Sequence, residues 1–177
     1  MSASTAVHAT GDAMSAETTT GSAMHMETTG KGPPDRRLAA FVAGQTSWDC
    51  NNAHAANGAM KTVECMTQVP HRLQVSVFDS QSGLTRAYQD ALRRQGRGLA
   101  PGTGRCSATS WHGEMEWVHG IGEPGGRAFC YLDVRAGASH LVWSSRLGTP
   151  TLYDATLESL DHRTLYFWWS NFRHELF

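Results

Sequence analysis

The residues best able to do chemistry in this chain are its four cysteines, Cys50, Cys65, Cys106 and Cys130. No two of them form a CxxC pair, so the sequence has neither a zinc-ribbon motif nor a thioredoxin-like redox motif. An even number of cysteines at loop and strand positions of a small domain favours disulfides. Two alternatives stay open, namely a mixed cysteine–histidine metal site with His54 or His112, and free thiols.

The pairing of these cysteines is open in principle, because four cysteines allow three connectivities. We favour Cys50–Cys65 and Cys106–Cys130, since each pair closes a local segment that contains turn-forming residues. By the chain-entropy description, a loop of this length stabilises the fold by roughly 3 kcal/mol, because the closed loop restricts the unfolded chain. The sequence therefore predicts two local disulfides that supply a large share of a small domain's net stability.

The sequence contains few possible catalytic motifs, and the residues around each one argue against a catalytic role. The segment GIGEPG at 120–125 matches the GxGxxG spacing of nucleotide-binding loops. Such a loop must open a helix, whereas the residues from Arg127 onward have a strand pattern. Glu114 and Glu116 share one strand face, as paired carboxylates would, but their alternation with apolar residues is typical of a solvated face. We therefore predict no catalytic residue, no metal and no cofactor.

Aromatic residues provide the candidate ligand-binding surface. A C-terminal helix with an aromatic stripe is predicted, and Asp161 is its possible N-cap. The residues with helical spacing that indicate it are Leu157, Leu160, Leu165, Trp168, Trp169 and Phe172. Because Trp168 and Trp169 are adjacent, one is expected to seal the core and the other to lie at a surface groove. A ligand is expected between the sheet and this helix, near Tyr131, Trp143, Trp168 and Trp169.

The elements that must position these residues are short strands and two main helices. A half-buried strand is predicted over 71–78, where apolar and polar residues alternate. A helix is predicted over 81–95, with Asp79, Ser80 or Ser82 as N-cap and Gly96 as its end. Other strands are expected over 60–66, 114–118, 127–134, 139–144 and 147–152. The Cys50 segment and RGLAPGTGRC at 97–106 have loop composition, and 120–126 has turn composition.

The N-terminal residues 1–34 differ from the rest, being rich in Ser, Thr, Ala and Met and free of aromatic residues. Such a segment buries too little apolar surface to offset its ordering entropy, so we predict a disordered tail. A short helix over 35–42 is expected to open the folded domain, 35–177. The tail contains possible soft-metal ligands, which a simple linker would also explain: Met14, Met24, His25 and Met26.

Composition excludes several classes of function. The formal net charge is −1, so the chain lacks the concentrated positive field that nucleic-acid binding needs. It has no apolar run of about 18 residues, so no membrane span is expected. The N-terminus has neither a basic region nor a continuous apolar region, and an export signal is therefore not visible.

An ordered set of motifs gives the chain a family resemblance. Cys50 follows a predicted short helix and Cys65 ends a predicted strand, and the further motifs are VSVFDSQSGLTRAYQDAL, GTGRC, GRAFCYLDV, LVWSSRL and LYFWWSNF. In this order, residues 36–172 resemble the extracytoplasmic C-terminal domain of certain actinobacterial membrane serine/threonine kinases. The kinase motifs and the membrane helix of those proteins are absent from this sequence. The resemblance implies an α+β domain outside the membrane, held by two disulfides, that senses or binds something.

Together these observations predict an α+β fold, an antiparallel β-sheet with two main helices packed on it, in a single disulfide-stapled domain. The leading hypothesis is a non-enzymatic extracytoplasmic binding or sensor domain, extracellular or at the cell surface, with an unknown small ligand or protein partner. A second is a secreted structural or assembly subunit that uses its tail and an aromatic patch for protein contacts. A third is a small hydrolase whose Ser, His and Asp converge only in the fold. The oligomeric state stays open.

Overall fold

The computed structural model describes residues 48–96, 98–119 and 122–175, with side chains to residue 173. All of these belong to the second of two units of the chain, Gly32–Phe177. The tail predicted over 1–34, its Met and His residues, and the helix predicted over 35–42 lie outside the described residues.

The described ranges contain eight strands and two helices. In chain order they are β1 (Asp49–Asn52), β2 (Lys61–Met66), β3 (Arg72–Val77), α1 (Gln81–Gln95), β4 (Gly104–Ser107), β5 (Ser110–His119), β6 (Glu123–Asp133), β7 (Ala138–Ser145), β8 (Thr151–Leu157) and α2 (His162–Glu175). The strands form one antiparallel sheet in the order β1-β2-β3-β8-β7-β6-β5-β4. The α1 segment carries the chain from β3 to the far edge at β4, and successive hairpins then return it to β3.

Helix α1 has the predicted bounds and the predicted caps. The Ser80 side chain accepts a hydrogen bond from the backbone of Gly83, and the Gly96 amide donates to the Leu92 carbonyl. Its apolar face packs against one face of the sheet, in a cluster that includes Phe129 and Val142. The local sequence therefore determines where α1 begins and ends, and burial of its apolar face holds the helix against the sheet.

The opposite face of the sheet carries the second core cluster. There Leu165, Trp169 and Phe172 of α2 are buried with strand residues that include Val75 and Trp143. Because successive residues of a strand point to opposite faces, β7 contributes Val142 to one cluster and Trp143 to the other. The central strands are therefore apolar on both sides, as expected for residues 127–134.

Both disulfides form with the favoured pairing. Cys50 and Cys65 face each other across β1 and β2, and their sequence separation is 15. Cys106 in β4 is joined to Cys130 in β6, so this disulfide spans β5, with a sequence separation of 24. No cysteine is free, which rules out the free-thiol and cysteine–metal alternatives. The two bonds fasten the two outer edges of the sheet.

The sequence-based fold is confirmed in its coarse features, an antiparallel sheet with two helices and two disulfides. The sheet is larger than expected, because the cysteine segments assigned to loops are the edge strands β1 and β4. Strand β6 begins at Glu123, inside the expected turn, and β8 covers Thr151–Leu157 rather than 147–152. Leu157 therefore belongs to a strand and not to the C-terminal helix. Pairing with neighbouring strands overrides local turn composition at these places.

Candidate functional site

A cavity of about 690 Å³ lies on the α1 side of the sheet. Its walls come from α1, the strands β3, β7 and β8, and the β1–β2 loop, residues 54–59. This volume falls in the range of about 300–1,000 Å³ that is usual for small-molecule sites. The cavity is therefore large enough to hold a small ligand between the helix, the sheet and the loop.

Small side chains create this space. On α1, Ala87 and Ala91 lie one turn apart and face the cavity, where larger residues would fill it. The loop wall is held in place by hydrogen bonds from the Ala56 amide to Thr62 Oγ1, at 3.2 Å, and from the Met60 amide to the Val77 carbonyl, at 2.8 Å. The Cys50–Cys65 disulfide joins the two strands that carry this loop, two residue pairs away from Asn52 and Val63, the pair next to the loop. Hydrogen bonds therefore hold the loop itself, and the disulfide holds its two strands together.

Two polar side chains meet inside the cavity, one from β8 and one from the end of α1. Gln95 Nε2 donates a hydrogen bond to Asp154 Oδ2 at 3.2 Å. Gln95 Oε1 is buried and has no hydrogen-bond partner. Although part of residue Asp154 is exposed, its carboxyl group lies deep. Burial raises the pKa of this carboxyl, and the Gln95 hydrogen bond and the Arg72 charge only partly oppose the shift.

The pair presents hydrogen-bond acceptors to the cavity. With Nε2 turned to the carboxylate, the amide of Gln95 leaves its oxygen free, and the Asp154 carboxylate is itself an acceptor. A buried polar group left without a partner costs about 1–3 kcal/mol, so the arrangement favours a ligand that donates hydrogen bonds. The chemistry that the geometry allows here is recognition of a donor group.

The cavity also contains Ser76 and His54, which together with Asp154 make up the residue types of a hydrolase triad. They are not arranged as one. The Ser76 hydroxyl is hydrogen-bonded to Thr62 Oγ1 at 3.0 Å, and Asp154 is bonded to Gln95. A triad needs a hydrogen bond from the nucleophile to the histidine, and the bond that the Ser76 hydroxyl makes is with Thr62, in which either hydroxyl can be the donor. Within the described ranges, no group of three or more His, Cys, Asp or Glu residues could hold a metal.

The structure separates the four aromatic residues predicted to bind a ligand. Trp143 and Trp169 are buried in the α2-side core, 0% and 1% exposed, with ring centroids 6.3 Å apart. Their neighbour Trp168 is half-buried and lines a shallow hollow of about 730 Å³. Tyr131 lies on the opposite face of the sheet, where its ring stacks on His140 at 4.6 Å. The three tryptophans are therefore together, Tyr131 is apart from them, and a ligand at this position stays a prediction.

The expectation of a solvated face at Glu114 was wrong. Its side chain is 2% exposed, and it accepts a hydrogen bond from Arg127 Nε at 2.8 Å. The second carboxylate oxygen accepts from the Gly102 amide. Burial, followed by the negative charge of Glu114, raises the pKa of the Tyr88 hydroxyl beside the pair. This buried ion pair ties β5 to β6 and to the loop before β4, while Glu116 is exposed as expected.

The glycines of GIGEPG have a packing role instead of a phosphate-binding one. The strand β6 begins at Glu123, so no helix follows the segment. A Cβ built at Gly125 would lie 2.2 Å from Cζ3 of Trp117, a buried ring whose Nε1 donates to the Ser144 carbonyl at 2.9 Å. Only glycine lets the indole lie against β6 at this point.

Sequence reasoning missed Asp154 and Gln95. A usable signal was Asp154 itself, a charged residue between apolar neighbours in LYDATL, where a strand buried on both sides would be apolar. A second signal was the pair of alanines, Ala87 and Ala91, on a helix face that also carries the large residues Leu84, Tyr88 and Leu92. What no pattern showed is that Gln95 and Asp154 meet, since they lie 59 residues apart in sequence.

Among the described residues, no helix is long and apolar enough to cross a membrane. No protein-family model, no curated protein and no solved structure matches the chain. The resemblance to kinase-associated extracytoplasmic domains therefore stays a prediction.

Proposed function

We propose that this chain is a non-enzymatic extracytoplasmic binding or sensor domain whose small ligand occupies the cavity beneath α1. The observation that carries the proposal is the Asp154–Gln95 pair inside a cavity of about 690 Å³, with Gln95 Oε1 buried and unpartnered. Polar groups that converge inside a cavity of this size are a usual feature of small-molecule sites, and here they share the lining with apolar side chains.

The energetic cost of this pair supports a functional role. Burial disfavours the charged form of Asp154, and the free oxygen of Gln95 lacks the hydrogen bond it would have in water. Apolar side chains at these two positions would fill the space without either cost. Residues that lower stability without a structural benefit are expected at functional sites.

Two further observations support binding without catalysis and a location outside the cytoplasm. The hydroxyl of Ser76 and the carboxyl of Asp154 are engaged with Thr62 and Gln95, so the cavity offers recognition groups and no assembled nucleophile. Two disulfides in a small domain are typical of oxidising compartments.

The other two hypotheses stay predictions. For the assembly subunit, Trp168 and the exposed Met66, 56% accessible, contribute apolar side chains to a hollow that polar residues also line, and the tail expected to take part lies outside the described residues. For the hydrolase, the three residue types are present in the cavity without the connecting hydrogen bonds.

The test is a screen of small polar compounds against the isotopically labelled full chain by NMR, together with a variant that fills the cavity. Ala91→Phe places a ring in the space between α1 and the sheet, while Gln89→Phe places the same ring on the exposed side of the helix. We expect compounds that shift the amides of Ala56, Ala91 and Leu152 in the wild type and in Gln89→Phe, but not in Ala91→Phe.

Ala91→Leu adds a smaller side chain and replaces Ala91→Phe in the test if that variant does not fold. Circular dichroism shows whether each variant is folded. Compounds that bind Ala91→Phe and Gln89→Phe equally would show that the cavity is not the site. A screen in which no compound shifts the cavity amides would also contradict the proposal.

A further inference from the structure

We propose that the ligand carries a primary ammonium group, which donates hydrogen bonds to Asp154 and to Gln95 Oε1 at the deep end of the cavity. This inference rests on the proposed function, because it assigns the chemistry of the ligand in that same site.

The hydrogen-bonding capacity of the pair selects the ligand group. Gln95 uses one of its two amide N–H donors on Asp154, which leaves the second N–H, the amide oxygen and the carboxylate. The buried atom without a partner is the amide oxygen, an acceptor, and the carboxylate beside it also accepts. An ammonium group has three donors and no acceptor, and it can therefore serve both residues at once. A hydroxyl has one donor and satisfies only one of them. A carboxylate has no donor and would meet a negative charge.

When Asp154 is ionised, its charge also lacks a counter-ion in an ion pair. Among the described residues, Asp154 is in no ion pair, and the cation whose charge lowers its pKa is Arg72. That guanidinium is turned to other partners, with Nη1 3.9 Å from Glu64 Oε2 and Nη2 donating to Thr156 Oγ1 at 3.3 Å. The negative charge of Glu64 adds to that of Asp154. A ligand cation would supply the missing partner.

The other residues that line the cavity determine the position of the ammonium and the character of the group attached to it. Arg94 also lines the cavity and is exposed, so a cation is disfavoured near it and favoured at Asp154. The rest of the lining combines polar residues, among them Gln74 and Ser76, with apolar ones, Ala55, Ala56, Ala59, Ala87, Ala91, Val142 and Leu152. The apolar part accepts methylene groups, and each buried methylene strengthens binding by about fourfold. The expected ligand is thus a short aliphatic amine.

The probes are n-butylammonium, n-butanol and butyrate, which share one alkyl chain and differ in the polar group. Each is titrated into the labelled full chain by NMR at constant ionic strength. We expect n-butylammonium to shift the amides of Ala56 and Ala91 and the Gln95 side-chain amide, with an affinity at least about tenfold above those of the other two probes. n-Pentylammonium should bind about fourfold more tightly than n-butylammonium.

Variants test whether the two acceptors cause this preference. Asp154→Asn and Gln95→Met should each weaken n-butylammonium by about tenfold or more and leave n-butanol nearly unchanged. Glu116→Gln is the matched control, because it removes the same charge from an exposed position on β5 outside the cavity. Its affinity for n-butylammonium should equal that of the wild type.

The outcomes separate this inference from the proposed function. If n-butanol or butyrate shifts the cavity amides as strongly as n-butylammonium, the ammonium assignment is wrong while a ligand-binding cavity stands. If n-butylammonium binds Asp154→Asn as it binds the wild type, or loses affinity equally in Glu116→Gln, the assignment is also wrong. If neither these probes nor any compound of the wider screen shifts the cavity amides, both proposals fail.

Discussion

Replacing Gly125 by alanine should destabilise the domain through one contact, with the ring of Trp117. The new Cβ would lie 2.2, 2.3 and 2.5 Å from Cζ3, Cε3 and Cη2 of that ring. Gly125 does not have a positive φ, so alanine meets no backbone penalty and the whole cost is steric. The indole is buried and must move for the methyl group to fit.

The expected cost has two components, both caused by that movement. Forcing an extra methyl group into a packed core costs about 1–3 kcal/mol. Moving the indole also breaks the hydrogen bond from Nε1 to the Ser144 carbonyl, 2.9 Å long, which costs about 0.5–1.5 kcal/mol. The free energy of unfolding should therefore fall by roughly 2–4 kcal/mol, against a usual total of about 5–15 kcal/mol.

Urea denaturation followed by far-ultraviolet circular dichroism measures this change. Gly137→Ala is the control for a glycine without neighbours, since nothing lies within 4 Å of its Cβ position. Its φ of 66° makes the backbone the only cost, about 1–2 kcal/mol. The same Gly125→Ala change is then made in a Trp117→Leu background, where a smaller side chain leaves room for the methyl group.

The double-mutant comparison decides the cause. If the ring contact is responsible, Gly125→Ala should cost less than half as much in the Trp117→Leu background as in the wild type. An equal cost in both backgrounds would show that the contact with Trp117 is not the cause. So would a stability change below about 0.5 kcal/mol in the wild-type background, the usual range for a surface site. Either result would reopen the question of why GIGEPG has a glycine at this position.

Three further predictions concern the disulfide and the buried carboxylates. Replacing Cys50 and Cys65 together by alanine should lower the free energy of unfolding by about 3 kcal/mol, measured by urea denaturation, and an unchanged midpoint would contradict the loop-closure argument. Glu114→Gln should lower the free energy of unfolding by about 2 kcal/mol, because it leaves the Arg127 charge without its buried carboxylate partner. The cost stays moderate because the Arg127 side chain is 34% exposed and water partly solvates its charge. Asp90→Asn, in a surface pair, should cost under about 1 kcal/mol in the same assay, and equal costs would contradict the burial argument. Asp154 has a folded pKa raised by burial, so its contribution to stability is fully present below 3.8 and is lost as the pH rises through the folded value. Asp154→Asn should therefore show a smaller fall in unfolding free energy from acidic to neutral pH than the wild type, and parallel pH profiles would show that Asp154 is not the cause.

Local features of the fold were predictable because their causes are local. The bounds of α1 follow from a repeating apolar face, the Ser80 cap and Gly96, all within one segment. The disulfide partners followed from short loops with turn residues inside, and both bonds form as favoured. The edge strands β1 and β4 were missed, because their polar, glycine-rich residues become strands only when a neighbouring strand supplies hydrogen bonds.

Most of the candidate site could not be predicted from the sequence. The aromatic residues singled out for ligand binding were visible by type, but aromatic rings are at least as useful in a core, and Trp143 and Trp169 are packed there. Glu114 had the alternation of an exposed residue, yet Arg127 on the next strand makes its burial possible. A pattern along one strand does not show what the neighbouring strand contributes.

Helix α1, the two local disulfides, the antiparallel α+β class and the lack of a charge pattern for nucleic acid were all predictable from the sequence. Each depends on residues close together in the chain or on composition. Only the tertiary structure decided that α1 lies over β8, that two alanines leave a cavity there, and that Gln95 meets Asp154. The physical reason is that this meeting depends on the register of the sheet and the placement of the helix, which are set by many distant contacts together.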